Sequence, residues 1–199
     1  IIGACNTVVN DDGILTGTST DGIGAMRALN AHGVTYTGKK MTVIGAGGAA
    51  SSIQVQAALD GVRELTIFNR KDAFYDQAED LADKLRERTD CKVRLYDLAD
   101  CDCLRHELDS SDIYIDATPC GMHPLENVVS IPDPSYLHPG LVVMDTVYAP
   151  RQTKLLKWAE QSGCVWFNGL DMMLYQGAAA FQLWTGKDMP VDYIRDLLF

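Results

Sequence analysis

Between Met41 and Phe68 the chain reads strand, glycine turn, helix, strand, and no other stretch restricts it as much. A short apolar strand (Met41 to Ile44) runs into Gly45-Ala46-Gly47-Gly48-Ala49-Ala50. A helix-like stretch follows from Ser51 to Leu59, and a second strand spans Leu65 to Phe68. The turn has the spacing G-x-G-x-x-A. Gly45 permits the tight turn, Gly47 lets the backbone approach a phosphate with no side chain in the way, and Ala50 is small enough for a helix to lie close on a sheet. Free peptide N–H groups and the positive end of the helix dipole then face an anion. In this context the turn points to a dinucleotide pyrophosphate. A purely structural turn is the alternative, because glycine turns are common.

The second contact of such a site lies about 20 residues further on, at the end of the second strand. Asn69, Arg70, Lys71 and Asp72 stand there. An acid directly at the strand end reads as NAD, whereas an Asn followed by two cations tolerates a 2′-phosphate. Asp72 can still turn back to accept from a ribose hydroxyl. The expected cofactor is therefore NAD, with NADP also accepted. Solvated loop charges are the plain alternative for this cluster.

The remaining chain alternates strand and helix. Strands are predicted at Lys92 to Leu98, Asp112 to Ala117, Leu141 to Val147 and Val165 to Asn168, and helices at Phe74 to Arg88, Leu104 to Leu108 and Thr153 to Gln161. A long helix from Met172 to Trp184 and a last one from Val191 to Leu198 are separated by Gly186 to Pro190. This alternation predicts an α/β fold: a Rossmann-like, doubly wound, mainly parallel sheet with helices on both faces. The proline-rich stretch after Ala117 (Pro119, Pro124, Pro132, Pro134, Pro139) follows the fourth strand, where α/β sheets place ligand loops.

The 199 residues, 47% of them hydrophobic, suffice for one sizeable core. A net charge of −10 argues against a nucleic-acid or anionic-membrane surface. Six scattered cysteines include no C-x-x-C, and Cys101 and Cys103 are too close-set for a zinc site, so free thiols in a reducing cytoplasm are expected and no metal. No apolar run reaches the roughly 18 residues of a membrane span. Ile1-Ile2-Gly3-Ala4 reads like the interior of a protein, so the chain is expected to be an excerpt.

The first residues stand outside the alternation. Asn6 to Asn10, Asp11-Asp12-Gly13 and Ile14 to Thr18 read as a hairpin, followed by Ser19-Thr20-Asp21-Gly22 and a helix from Ile23 to Asn30. Thr20 and Asp21 sit where a helix N-cap is expected, so Asp21 reads either as a cap or as a functional acid.

Seven short motifs in shared order give the chain a resemblance. Gly3-Ala4-Cys5-Asn6-Thr7, Thr20-Asp21-Gly22, Gly45 to Ala49, Asn69-Arg70-Lys71-Asp72, Ala117-Thr118 with Gly121-Met122, Val147-Tyr148-Ala149-Pro150, and Met173-Leu174-Tyr175-Gln176 with Phe181 and Trp184-Thr185-Gly186 are similar to motifs of the shikimate dehydrogenase family. The likeness is greatest to its quinate/shikimate branch. It implies oxidation of a ring hydroxyl of shikimate or quinate to the 3-dehydro ketone with NAD or NADP. Asp21 matches the catalytic aspartate, whose partner is a lysine of an N-terminal substrate domain. Asn6, Thr20, Asp21 and Gln176 match substrate contacts. Ala46, Gly47, Gly48 and Ala49 match the pyrophosphate turn, and Asn69, Arg70, Lys71 and Asp72 the adenosine-ribose contacts. Thr118, Thr146, Val147, Tyr148, Ala149 and Gly169 match further cofactor positions, Tyr148 and Gly169 around the nicotinamide. A Lys–Asp pair suits the chemistry, since losing a hydride from a secondary alcohol leaves a proton to remove.

Three departures stand out. Ser19 replaces the usual Asn before Thr-Asp-Gly, Pro119 replaces a lysine that the branch can carry, and no counterpart of the N-terminal lysine-bearing domain is present. Lys39, the first lysine, stands at the start of the dinucleotide region and is no substitute. The expected organisation is a remnant of the substrate domain at 1–22, a dinucleotide-binding domain at 23–170 and C-terminal helices at the interdomain cleft at 171–199. The missing domain is the expected partner, and a homodimer is allowed. Two other readings remain: a non-catalytic NAD(P)-binding regulatory module, and another NAD(P) dehydrogenase sharing the glycine turn. The polar set Asn6, Asp21 and Gln176 speaks against the latter.

Overall fold

The alternation read from the sequence is present throughout the computed structural model, which describes residues 2–198. A hairpin of β1 (Thr7–Asp11) and β2 (Ile14–Thr18) leads into α1 (Asp21–Ala31). Then come β3 (Lys40–Ile44), α2 (Gly48–Leu59), β4 (Glu64–Asn69), α3 (Tyr75–Arg88), β5 (Lys92–Asp97), α4 (Cys101–Asp109) and β6 (Ile113–Asp116). A short 3-10 turn (Pro134–Tyr136) precedes β7 (Val142–Asp145), α5 (Lys154–Gln161), β8 (Val165–Phe167), α6 (Leu170–Thr185) and α7 (Val191–Leu198).

Six strands form one sheet in the order β5-β4-β3-β6-β7-β8, and every neighbouring pair is parallel. The chain starts in the middle with β3, winds outward to β5, returns beside β3 with β6 and winds out the other way. This is the doubly wound order, with its reversal between β3 and β6. One face packs against α1, α2, α3 and α6, the other against α4, α5 and the 3-10 turn. Covered on both faces, β3 has no exposed residue, which is why its sequence is nearly continuous in apolar residues.

Helix starts are where the structure departs most from the sequence expectation, α1 beginning at Asp21 rather than Ile23. α2 begins inside the glycine turn, at Gly48 rather than Ser51. α4 begins at Cys101 because Asp100 caps it, accepting from the Cys103 N–H. α6 begins at Leu170 and ends where Gly186 adopts a left-handed conformation. α1 lies between α2 and α6 at a separation that admits no side chain. A Cβ on Gly22 would stand 2.2 Å from the Ser52 carbonyl oxygen, and one on Gly24 would stand 2.6 Å from that of Met172. The stretches 23–170 and 171–199, read apart in the sequence, are thus in direct contact. The hairpin is tied on by the Trp184 indole, which donates to the Val8 carbonyl at 3.0 Å. All six cysteines are free. Among the described residues no helix is long and apolar enough to cross a membrane.

The one buried charge in β3 is Lys40. Its Nζ lies 2.6 Å from Glu107 Oε2 on α4, with both side chains almost fully covered. It also donates to Ser110 Oγ at 2.6 Å, and Thr66 Oγ1 donates to Glu107 at 2.9 Å. Burial alone would raise the Glu107 pKa, but the bonds from Lys40 and Thr66 outweigh it and leave it below the ordinary 4.5. A carboxylate so depressed stabilises the fold above its unfolded value and loses that contribution as pH falls through its folded value. Lys40→Met leaves Glu107 buried without a cation and should lower the unfolding free energy by about 3–5 kcal/mol in urea titration. Lys40→Met with Glu107→Leu should recover most of that loss.

Candidate functional site

The carboxyl ends of β3 and β6 part at the strand-order reversal, and the glycine turn fills the gap. Gly45 has φ +121°, and a Cβ there would stand 2.7 Å from the Ala117 carbonyl oxygen, so packing as well as conformation demands glycine. The fully buried Gln54 holds the turn from below, its Nε2 donating to the Gly45 carbonyl at 2.8 Å. Gly47 is different. Its φ is −73°, and an added Cβ would meet nothing within 4 Å. The protein itself gives no reason for glycine there, which leaves close approach by a ligand as the reason. No side chain caps α2 and no acid lies in its first turn, so its N–H groups and dipole are directed at whatever approaches. These features fit a pyrophosphate.

A cleft of 470 Å³ opens from this turn. It collects Ala46, Gly47, Asn69, Arg70, Asp72 and Thr118 from the sequence-predicted set. Phe74, Leu98, Leu125, Val128 and Val129 add an apolar wall. Asn69 closes β4 and donates from Nδ2 to the Arg70 carbonyl at 2.9 Å and to Asp72 Oδ1 at 3.3 Å. Asp72 Oδ1 also accepts from the Phe74 N–H at 3.0 Å. Arg70 stands 3.6 Å from its other oxygen, an exposed pair of small energetic weight. Asp72 therefore shapes the entry to α3 and presents a half-exposed carboxylate to the cleft. Lys71 does not line the cleft; its ammonium lies 5.8 Å above the Tyr75 ring.

Gly48 and Ala49 belong to the first turn of α2 and also lie off the cleft lining. So do Thr146, Val147, Tyr148, Ala149 and Gly169, which cluster at the ends of β7 and β8. Gly169 donates its N–H to the Val147 carbonyl at 3.1 Å, and a Cβ on it would come 2.0 Å from the Thr146 carbonyl oxygen. The backbone contact between α6 and this loop is thus sufficient reason for glycine at 169.

The predicted substrate set meets at one point. Asn6 Nδ2 donates to Asp21 Oδ1 at 2.9 Å and to Gln176 Oε1 at 3.3 Å. Asn6 Oδ1 accepts from the Thr20 N–H at 3.0 Å, Thr20 Oγ1 at 3.3 Å and Thr7 Oγ1 at 2.9 Å. Asn6 is thereby a brace whose amide is occupied by protein groups. The capping reading of Asp21 does not hold: Asp21 is the first residue of α1, Thr20 occupies the cap position, and neither side chain caps the helix. The Gly22 N–H is instead satisfied from another helix, by Ser52 Oγ on α2 at 2.9 Å, which also accepts from Ser19 Oγ at 2.9 Å. Ser19 and Ser52 are a buried link that sequence reading missed. Burial raises the Asp21 pKa above 3.8, while bonds from Asn6 and Ser19 hold it down. Among the described residues no cation pairs with it.

The family described as "Shikimate / quinate 5-dehydrogenase" matches residues 27–127, and "Shikimate 5'-dehydrogenase C-terminal domain" matches residues 169–199. A shikimate dehydrogenase (NADP(+)) of Listeria monocytogenes is 55% identical over 199 residues, covering 100% of this chain and 68% of the relative. The chain belongs to the shikimate/quinate dehydrogenase family. A quinate/shikimate dehydrogenase of Escherichia coli is 47% identical over 198 residues, covering 100% of this dehydrogenase chain and 69% of the relative. The crystal structure of Listeria monocytogenes shikimate 5-dehydrogenase in complex with shikimate and NAD superposes with a TM-score of 0.95, at 55% identity, covering 100% of this chain and 68% of that one. Quinate dehydrogenase from Corynebacterium glutamicum in complex with NAD gives 0.85, at 30% identity and 98% and 67% coverage.

The two glycines of the turn should separate in this dehydrogenase. Gly45→Ala should cost about 1–3 kcal/mol of stability through backbone strain and overlap with Ala117. Gly47→Ala should stay within about 0.5 kcal/mol of the parent. Chemical denaturation of both variants without ligand checks this.

Proposed function

We propose that this chain supplies the cofactor cleft and the hydroxyl-recognising cluster of a dehydrogenase that oxidises a ring hydroxyl of shikimate or quinate to the 3-dehydro ketone. The observation that carries this reading is the convergence of Asp21 and Gln176, braced by Asn6 and the buried Thr20, at the start of α1, which packs against the helix bearing the glycine turn. A polyol demands such a set, since each buried hydroxyl left without a partner costs about 1–3 kcal/mol. The chain spans about two thirds of the length of the relatives it matches.

NAD(P), held by Ala46 to Ala49, Asn69, Arg70 and Asp72, supplies the hydride acceptor when bound. The protein's own task is to orient the alcohol and remove its proton. Asn6 fixes Asp21 and Gln176 relative to one another. Among the described residues no hydrogen bond engages Gln176 Nε2, which leaves it to donate to a substrate hydroxyl. The half-buried Asp21 accepts hydrogen bonds and, on this reading, sets the proton affinity of a lysine supplied from the part of the relatives' length that this chain does not span. That no cation pairs with Asp21 among the described residues supports that role.

The gene product containing this chain should reduce NAD(P) in the presence of shikimate or quinate. Asp21→Asn should lower kcat roughly 10²–10⁴-fold while leaving the melting temperature and cofactor affinity nearly unchanged. Near-normal turnover by this variant would remove Asp21 from the chemistry. No turnover by the parent with either substrate would sink the substrate assignment.

Cofactor choice follows from the β4 end. Asp72 favours a free 2′-hydroxyl, while Arg70 beside it tolerates a phosphate, so NAD should be used and NADP accepted. Asp72→Ala should shift the ratio of kcat/KM values toward NADP. An unchanged ratio would show that Asp72 only shapes the turn into α3.

A further inference from the structure

β6 and β7 end in carboxylates that the parallel register sets side by side, Asp116 opposite Asp145. Both are 1% exposed, and among the described residues no Lys, Arg or His pairs with either. We propose that Asp116 and Asp145 are positioning residues that hold one proton between them and thereby set the two loops beyond their strands, one lining the cleft through Thr118 to Cys120, the other carrying Thr146 to Ala149. This rests on the reading of the cleft as a dinucleotide site.

Two ionised carboxylates on adjacent strands in a dry interior repel, so one must take up a proton. The hydrogen bonds decide which. Asp116 faces four donors: the Thr118 N–H at 3.0 Å and Thr118 Oγ1 at 2.6 Å on one oxygen, Tyr114 OH at 3.0 Å and Ser130 Oγ on the other. Asp145 faces two, the Val147 N–H at 2.9 Å and Thr153 Oγ1 at 2.6 Å. Burial raises the proton affinity of Asp116 as well, but its four donors oppose that and keep it the ionised member; Asp145, with two, carries the proton. Burial, and then the Asp116 charge, push Asp145 up to about 7. Asp145 accepts from the Val147 N–H on Oδ1 and from Thr153 Oγ1 on Oδ2.

The pair connects the loops through a closed set of contacts. Asp116 fixes Thr118, whose Oγ1 accepts from the Cys120 N–H at 3.2 Å. Gly121 lies against Thr153, where an added Cβ would be 2.9 Å from the Thr153 methyl. Thr153 caps α5 and bonds Asp145. Ionising Asp145 therefore disturbs both loops. The other titratable groups facing the pair are Tyr114 on β6 and Cys120 in the loop after it. Burial pushes both upward, so they remain neutral in this range. Ser130 from the loop before β7 and Thr153 from α5 do not titrate.

The test is a carbon-13 NMR titration of aspartate carboxyls, with NAD affinity measured by calorimetry over the same pH range. In the parent, one carboxyl should titrate near 7. That signal should vanish in Asp145→Asn and move to lower pH in Asp116→Asn, where the neighbouring charge is gone. NAD affinity of the parent should fall roughly fivefold or more as pH rises through the transition, and Asp145→Asn should remove that dependence. The Asp116→Asn shift decides the matter even if Asp145→Asn does not fold. The proposal is overturned if no carboxyl titrates near neutrality, or if Asp116→Asn leaves the titration where it was. NAD binding by the parent at low pH separates the two failures. Without it the dinucleotide reading falls; with it, a pH-independent affinity overturns the present proposal.

Discussion

The contact of the Gly45 backbone with the Ala117 carbonyl oxygen governs the arrangement of everything above the sheet. Neighbouring strands β3 and β6 lead their chains to opposite faces, and the backbone leaving β3 passes within van der Waals reach of the backbone leaving β6. That passage sets where α2 begins and how its first turn is aimed. It also brings the β4 end and the loop after β6 to the same opening, so the glycine turn, Asn69 to Asp72 and Thr118 line one cleft. A side chain at 45 would force the strands apart at the point where the cleft is built.

α1 depends on α2 in turn. Gly22 and Gly24 let α1 sit backbone to backbone between α2 and α6, and the carboxylate of Asp21 is placed by that packing. The acid itself is held in a compromise. Burial favours its protonated form, bonds from Asn6 and Ser19 favour the ionised form, and the net effect is a raised proton affinity. The brace Asn6 comes from β1's edge and Gln176 from α6, so three segments distant in sequence define a cluster that no single element contains.

Much of this was legible because the signals were local. The glycine turn and the alternation of apolar strands with helical stretches announced a doubly wound sheet, and the boundaries missed were those set by caps such as Asp100 or by the N-terminal turn of α2. What was not legible depended on distant partners. Asp21 could not be told from a cap, because the deciding contact is with Asn6 and the real partner of the helix N–H is Ser52 on another helix. The apolar wall of Leu125, Val128 and Val129 lies in a stretch with no periodicity to mark it. That Gly169 is required by the Thr146 carbonyl oxygen is likewise a contact no local pattern shows. Asp116 and Asp145 fall inside two predicted strands, and only the β6–β7 register sets them side by side.

Ser52 satisfies the first turn of a helix to which it does not belong. A helix capped by its own preceding residue carries its start point with it, whereas α1 takes its start point from α2. The two are therefore a single inheritable part. A chimaera that exchanges α1 between family members while leaving α2 behind would set a foreign hydroxyl, or none, against the Gly22 N–H, and would misplace the acid although every residue of α1 were native. Recombination boundaries that respect this unit fall before Asn6 or after Leu59, and not in the stretch through β3 that joins the two helices.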